Sequence, residues 1–331
     1  MSALVTADLH LSSNPRDRYR FAAMERLAEL IEKNKVTTLI IPGDLTEEKN
    51  FHSAELVNDV VELVHILSEI VGNVIFMMGN HDYKDADCPF FYFLRRLSNV
   101  TWIRNPTRTA VTGLAEKCLF LPHTPDYKRD WDGIEMRDMD WIFAHNTFEG
   151  AATEHGRRLS GIPTSVFPKG SRVIAGDIHT PQTVGCVTYV GSPFTVDFGD
   201  VFNPRVLLLE GHKMKSISLP GPQKKLLTLK PGYKLTDLDL IEGDVIKVQY
   251  NLPNDAREKW PEVRDKLRVQ LQDLGCLVYA VQPVVDKTKR VGSVVSKRRV
   301  NTDETMIRMF AEQNKVSDDV LETGLALIET V

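Results

Sequence analysis

Asn73-Val74-Ile75-Phe76-Met77-Met78-Gly79-Asn80-His81-Asp82 is the stretch on which the reading of this chain turns. A β-rich apolar run stops at a glycine, and Asn, His and Asp follow at once. These are side chains that bind divalent metals through oxygen and imidazole. Glycine at the stop permits a tight turn and close backbone approach. Working outward, the arrangement recurs. Ala3 to Ala7 reads as a strand and runs into Asp8-Leu9-His10, and Thr37 to Pro42 runs into Gly43-Asp44. Trp141 to Ala144 is followed by His145-Asn146, and Arg172 to Ala175 by Gly176-Asp177-Ile178-His179. Each segment alone is weak, since a strand-end His is usually a hydrogen-bonded structural residue and Gly-Asp is usually a plain turn. All five together match the carboxyl edge of an α/β sheet, where ligand-binding groups gather.

Between these strands lie amphipathic stretches. Pro15 suits a helix start, and Phe21, Met24, Leu27, Leu30 and Ile31 follow at helical spacing. Leu56, Val57, Val60, Leu63, Val64 and Leu67 mark a second helix. This alternation predicts right-handed βαβ units and a largely parallel sheet. The runs Trp141 to Ala144, Arg172 to Ala175, Val187 to Val190 and Val206 to Leu209 have no long helices between them, which predicts a second sheet packed on the first. After Pro220-Gly221-Pro222 the composition changes. Asp244 to Tyr250, Asn254 to Leu274 and Leu277 to Gln282 then form a small βαβ-like unit. Lys287 to Arg299 holds six Lys or Arg residues in thirteen positions. Two short helices close the chain, one capped by Asn301 with Glu304 three residues on, the other by Ser317 ahead of Asp318 and Asp319.

Bulk properties narrow the function. The 331 residues carry a formal charge of -4, are 42% hydrophobic and 26% charged, which suits a globular chain and excludes a globally basic nucleic-acid binder. Any grip on nucleic acid must come from local patches. The four cysteines (Cys88, Cys118, Cys186, Cys276) form no CxxC pair, which excludes a zinc ribbon and a dense disulfide frame. Asp8 and His10 interrupt the N-terminal apolar run, so no signal peptide is expected, and no stretch approaches the ~20 apolar residues of a membrane span. The expectation is a cytoplasmic protein with no membrane partner.

The ordered motifs D-x-H, G-D, G-N-H-D, H and G-D-x-H, over residues 3 to about 200, resemble those of the calcineurin-like metallophosphoesterases. Within that superfamily the chain is similar to the SbcD-type (Mre-type) recombination nuclease subunits, including short bacteriophage versions. Tyr189-Val190-Gly191-Ser192-Pro193-Phe194 with Gly199-Asp200, and the βαβ unit from about 225 to 285, carry this closer likeness. The resemblance implies an α/β two-sheet sandwich flanked by helices. It divides the chain into a nuclease domain (1–222), a DNA-contacting cap (223–286), a basic linker (287–300) and a helical segment that binds an ATPase partner (301–331). It implies two divalent metal ions, with manganese preferred and magnesium the other candidate. Asp8, His10, Asp44 and His179 would hold the first; Asp44 as bridge, Asn80, His145 and Asp177 would hold the second. His81 would be the catalytic group that stabilises charge or protonates the leaving oxygen. Asp82 either orients His81 or accepts hydrogen bonds within its loop. His52, His65, His123, His155 and His212 match no motif and read as surface or structural residues.

One position departs from the pattern. The family has His where this chain has Asp177. As a ligand, Asp177 adds charge and hard oxygen, which favours manganese or magnesium over zinc; otherwise it weakens the second site. The implied activity is two-metal-dependent cleavage of DNA, as a 3′-to-5′ exonuclease and a single-strand or hairpin endonuclease. The implied assembly is a homodimer with an SbcC-like, SMC-type ATPase. A small-molecule phosphodiesterase or phosphatase, or a metal-deficient interaction scaffold, are the alternatives. Arg16, Arg18 and Arg20, and Arg157 and Arg158, are candidate DNA phosphate contacts or else solvated surface. Met306, Ile307, Phe310, Leu321, Leu325 and Ile328 form apolar faces on the last two helices, which dock on the partner or pack on their own domain.

Overall fold

The computed structural model describes residues 2–153, 156–285, 311 and 320–322, and the chain divides into two compact units, 1–285 and 286–331. In the first unit the alternation read from the sequence is realised. β1 (Ala3–Val5) leads to α1 (Tyr19–Asn34), β2 (Thr38–Pro42) to α2 (Ala54–Ile70), and β3 (Asn73–Met77) to β4 (Val100–Ile103). These four strands run parallel, in the order β1-β2-β3-β4. Their side chains alternate between two buried faces, as expected where both sides of a sheet are covered. Leu4, Leu39, Ile41, Val74 and Phe76 pack on Met24, Leu27, Val60 and Val64 of the helices. Ala3, Val5, Ile40, Ile75 and Met77 face the other way, against a second sheet.

That second sheet is built from β5 (Thr107–Val111), β6 (Ala115–Leu121), β7 (Trp141–His145), β8 (Val173–Gly176), β9 (Gln182–Val184) and β10 (Val187–Tyr189). A single helical turn, α3 (Tyr127–Asp130), lies between β6 and β7. The strand order is β5-β6-β7-β8-β10-β9, with a parallel centre and antiparallel edges. Cys118, Phe120, Trp141, Phe143 and Ile174 point inward to meet the first sheet.

One strand lies elsewhere than the sequence suggested. β11 (Arg205–Glu210), which includes Val206 to Leu209, joins the first sheet rather than the second, antiparallel to β1, and β12 (Lys213–Ser218) pairs outside it. The hydrophobic pattern of such a run identifies a strand but not its neighbour. The choice is set by packing, because Leu207 and Leu209 enter the core between the sheets while Val206 and Leu208 reach the helical layer.

Beyond this sandwich, β13 (Lys224–Leu229), β14 (Val245–Leu252), α4 (Trp260–Asp273) and β15 (Leu277–Val285) form a three-stranded, all-parallel sheet with one helix over it. Leu267 and Leu271 of α4 pack on Ile246, Val248 and Tyr250. In the second unit, Ala311 and residues 320–322, Leu321 among them, are helical; Met306, Ile307, Phe310, Leu325 and Ile328 lie outside the described residues. Among the described residues no helix is long and apolar enough to cross a membrane.

Candidate metal centre

Each strand-end motif sits on the same carboxyl rim. Asp8 and His10 follow β1, Asp44 follows β2, Asn80 and His81 follow β3, His145 ends β7, and Asp177 and His179 follow β8. The chain must turn sharply there. Asp8, His10, Asp44 and Asp177 adopt left-handed backbone, with φ of 56°, 42°, 58° and 86°. Such conformations cost non-glycine residues about 1–3 kcal/mol each and persist where surrounding structure enforces them. The glycines serve close approach. A Cβ on Gly43 would overlap the His145 ring, and one on Gly79 would overlap Asp44 Oδ1.

Two groups of donors share a wall. In one, Nε2 of His10 lies 3.1 Å from Nε2 of His179 and 3.5 Å from Asp44 Oδ2. In the other, Nε2 of His145 lies 2.9 Å from Asn80 Oδ1, 3.4 Å from Asp44 Oδ2 and 4.0 Å from Asp177 Oδ1. His145 Nδ1 donates to the Pro42 carbonyl at 2.7 Å, which fixes the tautomer and leaves Nε2 as the lone-pair donor in the neutral ring. Asp8 is fully buried. Its Oδ1 accepts from the Asp177 backbone N–H at 2.9 Å, while Oδ2 has no hydrogen-bond partner. Asp177 Oδ2 accepts from the Thr147 hydroxyl at 2.5 Å.

The electrostatics reflect carboxylates and imidazoles buried against one another. Burial, then the facing Asp44, drives the Asp8 carboxyl up despite nearby histidines. Asp44 is driven down: burial opposes this, but His145 and His10 outweigh it. His145 rises well above its ordinary value although burial pushes the other way, because Asp44, Asp8 and Asp177 surround it. His179 falls to about 3 through burial and the neighbouring His10. The carboxylates thus draw positive charge towards this floor. A divalent cation fits the same need, and the orphaned Asp8 oxygen and the two facing histidine nitrogens fit it as donors. Among the described residues, Asp8, Asp44 and His145 form one candidate ligand group, and His10, Glu47 and His81 another.

His81 stands at the rim, half-buried. Its backbone N–H donates to Asp44 Oδ1 at 2.8 Å and its ring Nδ1 to the Glu47 carbonyl at 2.8 Å, and its ring lies edge-on to His10, 4.7 Å between centroids. Asp82 plays the second of its two anticipated roles. Its carboxylate accepts backbone N–H groups from Gly79 (2.6 Å), Leu45 (2.9 Å) and Asp44 (3.0 Å), tying the β2 and β3 loops together.

The arginines separate. Arg18 is exposed and pairs with Asp59 at 2.7 Å; Arg16 is exposed and lies over the Tyr279 ring at 4.4 Å; Arg157 and Arg158 are exposed. Arg20 departs from the expected surface role. It is 2% exposed and engages the His10 carbonyl, Asp17 and Glu47. A signal was present: Arg20 stands on the buried α1 stripe with Met24, Leu27 and Ile31. Two neighbours of the centre escaped the motif reading. Glu47 Oε2 lies 3.1 Å from His10 Nδ1 as a close ion-pair contact, and that ring holds Glu47 down at about 2. His123, pushed down to about 4 by burial and His145, bonds the Tyr83 hydroxyl at 2.8 Å and lies 6.3 Å, ring to ring, from His145.

Exonuclease subunit 1 of Enterobacteria phage T4 is 22% identical over 213 residues, which are 62% of this chain and 63% of that protein, so the chain spans under two thirds of that relative's length. Among solved structures, the phosphoesterase Yfce from E. coli aligns over 66% of this chain and 100% of its own, at 14% identity and a TM-score of 0.34. The Pseudomonas putida nuclease MPE aligns over 65% and 72%, at 17% identity and a TM-score of 0.32. The family model for calcineurin-like phosphoesterases matches residues 1–216, which carry every strand-end motif and all but the last two residues of the two six-stranded sheets. With that match over most of its length, the chain belongs to the calcineurin-like phosphoesterase family, hydrolases that work with divalent metals.

Proposed function

We propose that this chain is a two-metal-dependent DNA phosphodiesterase and the nuclease subunit of a complex with an SMC-type ATPase. The observation that carries the reading is the position of Asp44. A single buried carboxylate oxygen lies 3.5 Å from the His10 imidazole and 3.4 Å from that of His145. A shared carboxylate is what two dications ~3.5–4 Å apart require. In this reading Asp8, His10, Asp44 and His179 would hold one cation; Asp44, Asn80, His145 and Asp177 would hold the other. Manganese suits the oxygen-rich second set best, with magnesium next. Cations held there would supply Lewis-acid polarisation of phosphoryl oxygens and a more acidic bound water.

The rest falls to the chain's own groups. Pro42 holds His145 in one tautomer. With Nδ1 committed to the Glu47 carbonyl, His81 uses Nε2 to hold a proton for the leaving oxygen or to stabilise charge beside it. Burial of Asp8, His10 and His145 keeps water from the floor of the site and strengthens each charge interaction there. DNA as substrate is supported by the phage relative, an exonuclease subunit, and its designation as a subunit supports a partner. No G-x-x-x-x-G-K-[ST] loop occurs in these 331 residues, so ATP hydrolysis belongs to that partner, docked on 301–331 of a homodimeric nuclease. Residues 223–286 act as the cap, with Arg16, Arg18, Arg157 and Arg158 as phosphate contacts.

The test is manganese-dependent cleavage of linear duplex, hairpin and single-stranded DNA, beside p-nitrophenyl phosphate. DNA cleavage that vanishes in Asp44→Ala supports the proposal. Turnover of the monoester with all three DNA substrates left intact would move the chain to the phosphatases.

A further inference from the structure

The Nε2 edge of the His10 ring faces His179; its Nδ1 edge meets a row of alternating charges that the proposed reaction does not use. Glu47 Oε2 lies 3.1 Å from His10 Nδ1 and 3.6 Å from Arg20 Nη1. The same Arg20 nitrogen donates to the His10 carbonyl, so one guanidinium touches both the backbone of His10 and the carboxylate beside its ring. Arg20 Nη2 lies 3.5 Å from Asp17 Oδ2, and Asp17 Oδ1 lies 2.9 Å from Lys224 Nζ. The side chains of His10, Arg20, Asp17 and Lys224 are 3%, 3%, 8% and 12% exposed, against 44% for Glu47. Buried ions are costly unless paired, so removing any one of these leaves a neighbour uncompensated.

The far end of the row belongs to another part of the molecule. Lys224 opens β13 of the three-stranded sheet. Its Nζ also donates to the Val196 carbonyl at 2.9 Å, and its backbone N–H donates to the Thr195 hydroxyl at 2.7 Å. A second contact stands beside it: Arg16 lies over Tyr279 of β15, whose ring packs 4.8 Å from Phe198. The row therefore runs from a seam between the sandwich and the three-stranded sheet to the ring of His10.

We propose that Glu47 and Arg20 are positioning residues for the His10 imidazole, and that Lys224, acting through Asp17, makes their grip depend on the docked three-stranded sheet. The inference rests on the reading of His10 as a metal ligand. A carboxylate on the second nitrogen of a ligating imidazole fixes the ring and raises its basicity. Arg20 holds that carboxylate and the His10 carbonyl together, across a residue whose backbone is left-handed. Without the Lys224 charge, Asp17 is left to Arg20 alone and draws the guanidinium from Glu47. His10 then loses its outer support.

The experiment is manganese titration by calorimetry on the full chain, with thermal melting of each variant. Glu47→Gln should weaken one site 10- to 100-fold, about the cost usual for an outer partner of a ligating histidine. Lys224→Met should weaken the same site by a smaller factor, roughly 3- to 10-fold. In the double variant the losses should not multiply, because both act through one ring, and Lys224→Arg should restore the wild-type affinity. Should Lys224→Met fail to fold, Asp17→Asn enters the same cycle. Unchanged manganese affinity in Glu47→Gln, or fully multiplicative losses, would overturn this inference alone. A wild-type chain that binds no manganese would overturn the metal centre and the inference with it.

Discussion

At the scale of single residues, the centre separates groups that hold charge from groups that move a proton. General acid–base catalysis contributes typically ~10²–10⁴-fold, within enzymatic accelerations of about 10⁶-fold or more. His81→Ala should therefore bind manganese as the wild type does and lose roughly 10²–10⁴-fold in rate. Asp44→Ala should lose manganese and essentially all activity. Calorimetry beside a nuclease assay reads both, and equal metal occupancy in Asp44→Ala and wild type would remove the bridging role. The residues of the centre were legible in sequence because each stands at or just past the end of a strand, marked by glycine in three of the five motifs. Glu47 and Arg20 were not. Glu47 lies three residues past its motif in a loop, and nothing in the spacing tells which way that loop folds. Arg20 sits on the helix stripe that packs inward, and reading its charge alone hides that position.

At the scale of elements, Asp82 is the residue that makes two loops into one floor. Three buried backbone N–H groups, on Gly79, Asp44 and Leu45, end on its carboxylate. A buried donor left unpaired costs about 1–3 kcal/mol. Asp82→Ala should thus destabilise the first unit by about 3 kcal/mol or more, a fall of roughly 6–12 °C in Tm. Asp82→Asn, which keeps an acceptor oxygen, should cost less than half of that. Calorimetric melts that place Asp82→Ala within 1–2 °C of wild type would show that the loops hold without the carboxylate. The element pattern itself was largely visible in the sequence, since periods of 3.6 and 2 survive in one dimension. The neighbour of β11 was not, because an apolar run of strand length carries no label for its sheet. The parallel start of the small sheet, β13 beside β14, escaped for a similar reason: Lys224 and Lys225 make its strand look like surface.

At the scale of the whole molecule, the layers set which groups solvent can reach. Cys88 is exposed, Cys186 half-buried, and Cys118 and Cys276 are buried. Burial pushes the Cys118 thiol up to about 12, so at pH 8 almost none of it is thiolate. A chromogenic disulfide reagent at pH 8 should find one fast thiol per chain, Cys88, with Cys118 and Cys276 reacting only in denaturant. A second thiol as fast as the first would show that the layers open readily. Closure of those layers also has a consequence in time. β1 sits between β2 and β11, so the strand that leads into Asp8 and His10 has both partners only when residues 205–210 are present. A ribosome adding ~5–20 residues per second needs roughly 10–40 s to reach them. Through that interval the nascent chain holds the first motif on an unfinished strand edge, exposed to mispairing. The centre is born late, whatever the order of its motifs along the chain.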